Sequence, residues 1–157
     1  MKIFVFDIDN TIIIHTNIMN DFYHKMTDSR LSNLISDIGP DMIYIYTNGI
    51  YSHGKMVIKN LKLEEKVNGI FSRDTIPYMK PLFNSFIYVN NSIIRDSGSS
   101  DNEIIFFDDL IENLLTANRI GWKTVWISPN YINKNDFIDY AFPNIYEAMI
   151  YFKLKEG

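Results

Sequence analysis

Four short, almost uninterrupted apolar runs constrain this chain more than any other feature: Ile3–Phe6, Met42–Tyr46, Ile104–Phe107 and Thr124–Ile127. A strand with one face in water alternates apolar and polar residues, whereas a strand covered by helices on both faces is apolar throughout. Between the runs, Ile50, Gly54, Val57 and Leu61 recur at helical spacing, as do Leu82, Phe86, Val89 and Ile93. Strands alternating with helices build βαβ units and a parallel sheet. Further helices are expected over Leu31–Ile38, over Leu110–Ile120 with Gly121 as the stop, and over Tyr146–Phe152 capped by Asn144. Tyr140–Phe142 is expected to add an edge strand, and the polar stretch Arg95–Asn102 to form a surface loop. No repeat or linker divides the 157 residues, so the expectation is one α/β domain over 1–157, a Rossmann-like parallel sheet flanked by helices.

Composition narrows the classes of function. Zero cysteines exclude disulfides, thiolate metal sites and a cysteine nucleophile. No apolar run reaches the ~20 residues that span a bilayer, so no membrane partner is expected. The opening Met1–Asp7 is too short and too quickly acidic for a signal peptide, and a cytoplasmic location is expected. A net charge of −4 supplies no general field for nucleic acid or anionic lipid.

Ligands of open α/β sheets bind beyond the carboxyl ends of the strands. Polar clusters stand at such ends: Asp7-Ile8-Asp9-Asn10-Thr11 after the first run, Thr47-Asn48-Gly49 after the second and Asp108-Asp109 after the third, with Lys80-Pro81 ahead of a helix. A D-x-D-x-T match alone arises by chance in roughly 2% of chains of this size; its order with the other three clusters gives it weight. Chemically, one carboxylate of such a pair can attack phosphorus when ionised. The other can carry a proton to a leaving alkoxide and later take one from water. Asp7, Asp9, Asp108 and Asp109 in one pocket would repel strongly without a cation. With oxygen ligands and no His or Cys among them, a hard ion such as Mg²⁺ suits the set. Two acidic caps ahead of the helix at Leu110 are the structural alternative for Asp108-Asp109. Thr47 can offer a hydroxyl at a helix N-terminus to a phosphate, or act as a plain N-cap. Lys80, with Pro81 as the first helical residue, can bring an ammonium to the transferring oxygens. Asn113, one turn into its helix, either points at the site or lies on the helix surface. His15, just beyond the first motif, and His53, in the first turn after Thr47, are read as solvated or locally bonded, with contact to substrate as the alternative. Lys55, Lys59, Lys62 and Lys66 are read as one solvated helix face, with docking of a polyanion as the alternative.

Taken together, the four clusters resemble the signature motifs of the haloacid dehalogenase (HAD) superfamily, in its phosphatase branch, over nearly the whole chain. The resemblance implies a HAD-type fold and an aspartyl-phosphate mechanism, with Asp7 as nucleophile and Asp9 as general acid and base. It further implies Mg²⁺ bound by Asp7, the carbonyl of Asp9 and Asp108, and phosphate bound by Thr47, Asn48 and Lys80. Thr11, Asp109 and Asn113 support the site, Asp109 by orienting waters or Lys80. Dehalogenase members lack the second Asp, so Asp9 points to phosphate esters.

Tyr46-Thr47-Asn48-Gly49 with His53, Phe106-Phe107-Asp108-Asp109, and Gly69-Ile70-Phe71 ahead of Lys80-Pro81 resemble the pyrimidine 5′-nucleotidase-like branch. A small phosphorylated substrate, a nucleoside monophosphate first among them, is therefore expected. Members of the superfamily normally insert a helical cap between the first two motifs. Only about 35 residues separate Thr11 from Thr47, whereas a four-helix cap takes roughly 60 or more. A minimal cap within about 12–40 is expected, at most a hairpin or short helix near Asn17–Met26. Cover must then come from a second copy of the chain or from a large substrate; the acidic charge favours the homo-oligomer. The competing functions are a phosphatase of a phosphoprotein or nucleic-acid end, and a silent HAD-fold binding protein.

Overall fold

The computed structural model describes residues 1–14 and 28–156. Strands β1 (Lys2–Phe6), β2 (Met42–Tyr46), β3 (Gly69–Phe71), β4 (Glu103–Asp108), β5 (Lys123–Ile127) and β6 (Tyr140–Phe142) form one sheet in the order β3-β2-β1-β4-β5-β6. Every pairing in it is parallel. The described helices are α1 (Arg30–Ile38), α2 (Tyr51–Asn60), α3 (Phe83–Ser97), α4 (Ile111–Arg119) and α5 (Ile145–Glu156), with a 3₁₀ turn at Tyr131–Asn133. Among the described residues no helix is long and apolar enough to cross a membrane.

The continuous apolar runs conceal a strict period of two. Phe4, Phe6, Ile43, Ile45, Ile105, Phe107, Val125 and Ile127 face one core with Leu31, Ile35, Val57, Ile58, Met149 and Phe152 of α1, α2 and α5. Ile3, Val5, Tyr44, Tyr46, Ile104, Phe106 and Trp126 face the other, with Phe86, Val89 and Ile93 of α3 and Leu114 and Ala117 of α4. Alternate side chains point to opposite faces and both faces are covered, so no polar position is left in the run.

The expected strands and helices are present, with differences at their ends. β3 was not among the predicted strands: it opens on Gly69, a residue depleted in strands, which leaves only Ile70-Phe71 as an apolar mark. Pro81 does not start a helix. The Lys80–Pro81 peptide is cis, and α3 begins at Phe83. Within the expected loop Arg95–Asn102, α3 continues to Ser97 and stops where Gly98 takes the left-handed conformation, φ 71°. Gly121 follows α4 at φ 88°, the stop expected of it, and Asn144 Oδ1 accepts the Glu147 N–H at 2.9 Å at the start of α5. The expected cap remnant near Asn17–Met26 lies outside the described residues.

Register places the chemistry. Phe6 pairs with Ile45 on one side and with Phe107 on the other. The next residues, Asp7 and Asp108, therefore leave the sheet side by side, with the Asp7 N–H on the Phe107 carbonyl at 3.0 Å. The chain winds from β1 through β2 to β3, then crosses to β4 on the far side of β1. This switch point opens a crevice at the carboxyl ends of the strands.

Candidate active site

Asp7 ends β1 and is buried. Its Oδ1 accepts from Lys80 Nζ at 3.0 Å and its Oδ2 from the buried Thr11 hydroxyl at 2.9 Å. Thr11 reaches back because the chain turns at Ile8, whose carbonyl accepts the N–H groups of Thr11, Ile12 and Ile13. Asn10 takes φ 61° within that turn, a left-handed conformation that Asn tolerates better than most residues.

Lys80 is the hub. Its ammonium donates to Asp7 Oδ1 at 3.0 Å, to Asp108 Oδ2 at 2.8 Å and to the Tyr46 carbonyl at 2.8 Å, which uses all three of its protons. The same nitrogen lies 5.0 Å from the Tyr46 ring centroid and 5.5 Å from that of Phe106. Burial pulls its pKa down, but the charges of Asp108 and Asp7 outweigh burial and hold it above the ordinary lysine value. Asn48 fixes the backbone of this lysine from both sides: Asn48 Nδ2 donates to the Lys80 carbonyl and the Lys80 N–H donates to Asn48 Oδ1, each at 3.0 Å. Thr116 of α4 donates to the Pro81 carbonyl at 2.8 Å. An irregular segment is thus held as firmly as a strand.

Asp108 is fully buried at the end of β4. Its Oδ1 accepts the Leu110 N–H at 2.9 Å, and its Oδ2 accepts Asn113 Nδ2 at 3.1 Å in addition to Lys80. Asn113 therefore points at the site rather than lying on the helix surface. Asp109 is half-buried, with its carbonyl on Trp126 Nε1 at 3.0 Å, and the Thr11 hydroxyl lies 3.5 Å from its Oδ1. Burial, followed by the charge of Asp108, raises its carboxyl to about 6. Burial and then Asp108 raise Asp7 as well, with Lys80 acting in the opposite sense.

Carboxylate oxygens of Asp7, Asp108 and Asp109 lie within 4.8 Å of one another. Among the described residues one ammonium, bonded to Asp7 and Asp108, stands against these three carboxylates, and the buried Asn113 Oδ1 has no partner. An all-oxygen set with excess negative charge fits a hard divalent cation. The expected metal set was Asp7, the Asp9 carbonyl and Asp108; among carboxylates the geometry adds Asp109. The expected contact of Asp109 with Lys80 is not made, because every Lys80 proton points elsewhere.

Asp9 stands apart from this cluster. Its side chain is 41% exposed and its Oδ1 lies 3.1 Å from His53 Nε2. Thr47 is buried, and its hydroxyl accepts the Gly49 N–H at 3.0 Å; it is not a helix N-cap, since α2 starts at Tyr51. The expected lysine face is not one face. Helix α2 ends at Asn60, Lys62 sits in a left-handed turn at φ 58°, and Glu64 and Glu65 share the cleft with Lys59, Lys62 and Lys66. Nearby glutamates remove the sign preference a polyanion would need.

Sequence reasoning passed over several contacts made here. His53 was read as solvated or locally bonded, although Asp9, its partner, lies 44 positions away. Asn48 was read in the second motif as a phosphate ligand and Trp126 in an apolar run, but the Asn48 clamp on Lys80, the Trp126 bond to Asp109 and the Thr116 bond to Pro81 had no signal in the sequence. His15 lies outside the described residues.

No family model matches the chain, and no curated protein matches it. Solved structures do resemble it. The putative HAD-hydrolase YfnB from Bacillus subtilis, in a magnesium-bound form, aligns with a TM-score of 0.68 at 16% identity, over 96% of this chain and 98% of that one. A HAD phosphatase from Thermococcus onnurineus gives 0.66 at 18% identity, over 96% and 97%. A dehalogenase gives 0.61 at 18% identity over 78% of this chain and 54% of that one, so this chain spans about half of that dehalogenase's length. With β1 and β4 at the centre of a parallel sheet and the acidic crevice at their carboxyl ends, the fold of this chain is that of the haloacid dehalogenase-like hydrolases.

Proposed function

We propose that this chain is a HAD-superfamily phosphohydrolase that cleaves small phosphate monoesters, nucleoside monophosphates first among them, through an aspartyl-phosphate on Asp7. The observation that carries this reading is the contrast between two carboxylates two residues apart. Asp7 is buried against an ammonium and a hydroxyl, which hold it in place to attack. Asp9 is outside the acidic cluster, half-open to solvent and bonded to an imidazole, where it can meet a leaving group.

The steps balance with these two residues. A carboxylate oxygen of Asp7 attacks phosphorus, the bond from phosphorus to the ester oxygen breaks, and the departing alkoxide takes the proton of Asp9. Water then attacks the phosphorus of the acyl phosphate, Asp9 receives its proton, and inorganic phosphate leaves with Asp7 restored. Lys80 neutralises the transferring oxygens and Thr47 holds them. Asp7, Asp108 and Asp109, with the Asp9 carbonyl that the family resemblance implies, would hold Mg²⁺. Bound there, it would supply charge neutralisation of the crowded carboxylates and Lewis-acid polarisation of the phosphoryl group. A halide leaves without a proton, so the presence of Asp9 favours esters over carbon–halogen bonds.

That a second copy of the chain covers the site belongs to the same reading. Phosphate release from a panel of nucleotides, sugar phosphates, phosphopeptides and phosphorylated DNA ends, with Mg²⁺ and with light scattering on the same sample, tests it. Activity on nucleoside monophosphates from an oligomer is expected. A monomer active only on a phosphopeptide or a DNA end would overturn it.

A further inference from the structure

We propose that His53 is the positioning residue of the general acid, holding the Asp9 carboxyl at the leaving-group side of the site and thereby fitting the enzyme to esters with poor leaving groups. The inference rests on the assignment of Asp9 made above and goes beyond it. It stands on three features of the first turn of α2. The His53 side chain is 20% exposed, and its Nε2 lies 3.1 Å from Asp9 Oδ1, so one oxygen of the carboxyl is committed to the ring. The ring packs on the turn that carries Thr47: a Cβ placed on Gly49 would stand 3.5 Å from His53 Cδ2 and 3.3 Å from Thr47 Oγ1. The next residue, Gly54, lets the helix close on the segment between the two aspartates. A Cβ there would be 3.3 Å from Ile70 Cγ2 and 3.6 Å from the Cδ1 of Ile8, which joins Asp7 to Asp9.

His53 is therefore wedged between the turn that bears the phosphate-binding hydroxyl and the carboxyl that serves the leaving group. Such a contact fixes the angle between the two. An imidazole nitrogen suits the task because it can accept from a carboxylic acid or donate to a carboxylate, according to its tautomer. Asp9 must pass through both forms in each turnover. A glutamine, with one acceptor and two donors on a similar reach, should replace it in part; an alanine should not.

The test uses His53→Ala, His53→Gln, Asp9→Asn and the double variant Asp9→Asn/His53→Ala, assayed at saturating Mg²⁺ on a nucleoside monophosphate and on 4-nitrophenyl phosphate. Misplacing a catalytic group by about an ångström can cost on the order of 100-fold. His53→Ala is expected to lower kcat/KM, which reports departure of the leaving group and not hydrolysis of the common aspartyl-phosphate, by roughly 10–100-fold on the nucleotide and by less than about threefold on the nitrophenyl ester, with no rise in KM for the nucleotide. His53→Gln should recover most of the loss, and His53→Ala should cost nothing further once Asp9 is Asn. Independently of activity, the imidazole ¹⁵N shifts of His53 should differ between the parent and Asp9→Asn. Equal losses on both esters, a rise in KM alone, an additive loss in the double variant, or unchanged ¹⁵N shifts would each overturn the proposal. A leaving-group split in Asp9→Asn without one in His53→Ala would overturn this proposal alone. No split in Asp9→Asn would remove the role given to Asp9, and this proposal with it.

Discussion

Replacing Lys80 by Met should be the most damaging conservative-volume change in the crevice. The ammonium is buried and donates to Asp7, Asp108 and the Tyr46 carbonyl at 3.0, 2.8 and 2.8 Å. Methionine fills much of the same space, so little of the loss is packing. What remains is a pair of buried carboxylates without their cation and a carbonyl without its donor. Removing one partner of a buried ion pair costs about 3–5 kcal/mol. For a domain of this size each kcal/mol moves Tm by ~2–4 °C, so the metal-free variant should melt roughly 6–20 °C lower. The assay is thermal and urea unfolding in EDTA at neutral pH. Because the damage is stranded charge, Asp108→Asn added to Lys80→Met should recover a good part of it, as should Mg²⁺. A Tm within about 2 °C of the parent, or a loss that neither addition reduces, would refute the electrostatic role given to Lys80.

Three further outcomes are expected. In EDTA, Asp109 should make the protein more stable in mild acid than at neutral pH. Its carboxyl is raised to about 6 in the folded state by burial and then by Asp108, so its stabilising contribution is complete below the unfolded value near 3.8 and is lost as pH rises through 6; Asp109→Asn should flatten that part of the pH–Tm curve. Asp108→Ala should raise the Mg²⁺ concentration needed for half-maximal activity at least tenfold, measured by metal titration after chelation. Asn48→Ala, which frees the Lys80 backbone from two hydrogen bonds at 3.0 Å, should lower Tm by an amount equivalent to ~1–3 kcal/mol and reduce kcat more than it changes KM.

The parallel sheet was legible because burial on both faces leaves a mark no other architecture leaves: runs such as Ile43-Tyr44-Ile45-Tyr46, whose alternate members fill two different cores. The site was legible in outline for a related reason. Register sets Phe6 beside Phe107, so acidic residues that follow each run must meet at the carboxyl ends of the two central strands. What could not be read lies where contact depends on three-dimensional approach rather than on period. β3 opens on Gly69, a poor strand former, and takes its place only by pairing with β2. Lys80 reaches the cluster from an irregular segment whose shape is set by Asn48 and Thr116, not by a helix starting at Pro81. His53 was noted beside the second motif, but its contact with Asp9 was not, and the close packing of Gly54 on Ile8 and Ile70 shows why its ring meets that carboxyl. The lysines after Val57 continue a helical spacing on paper, but the helix stops at Asn60 and the glutamates that follow change the character of the surface.

The central claim is that Asp7 becomes phosphorylated during turnover, and chemical trapping tests it most directly. An acyl phosphate is reduced by borohydride to an alcohol, which converts the modified aspartate to homoserine, a change readable by peptide mass spectrometry. The protein, quenched into borohydride while turning over a nucleoside monophosphate with Mg²⁺, should yield homoserine in place of Asp7 and at no other carboxylate, and the signal should vanish in Asp7→Asn and without substrate. Full turnover with no homoserine formed, or homoserine in place of Asp9, Asp108 or Asp109, would contradict the account.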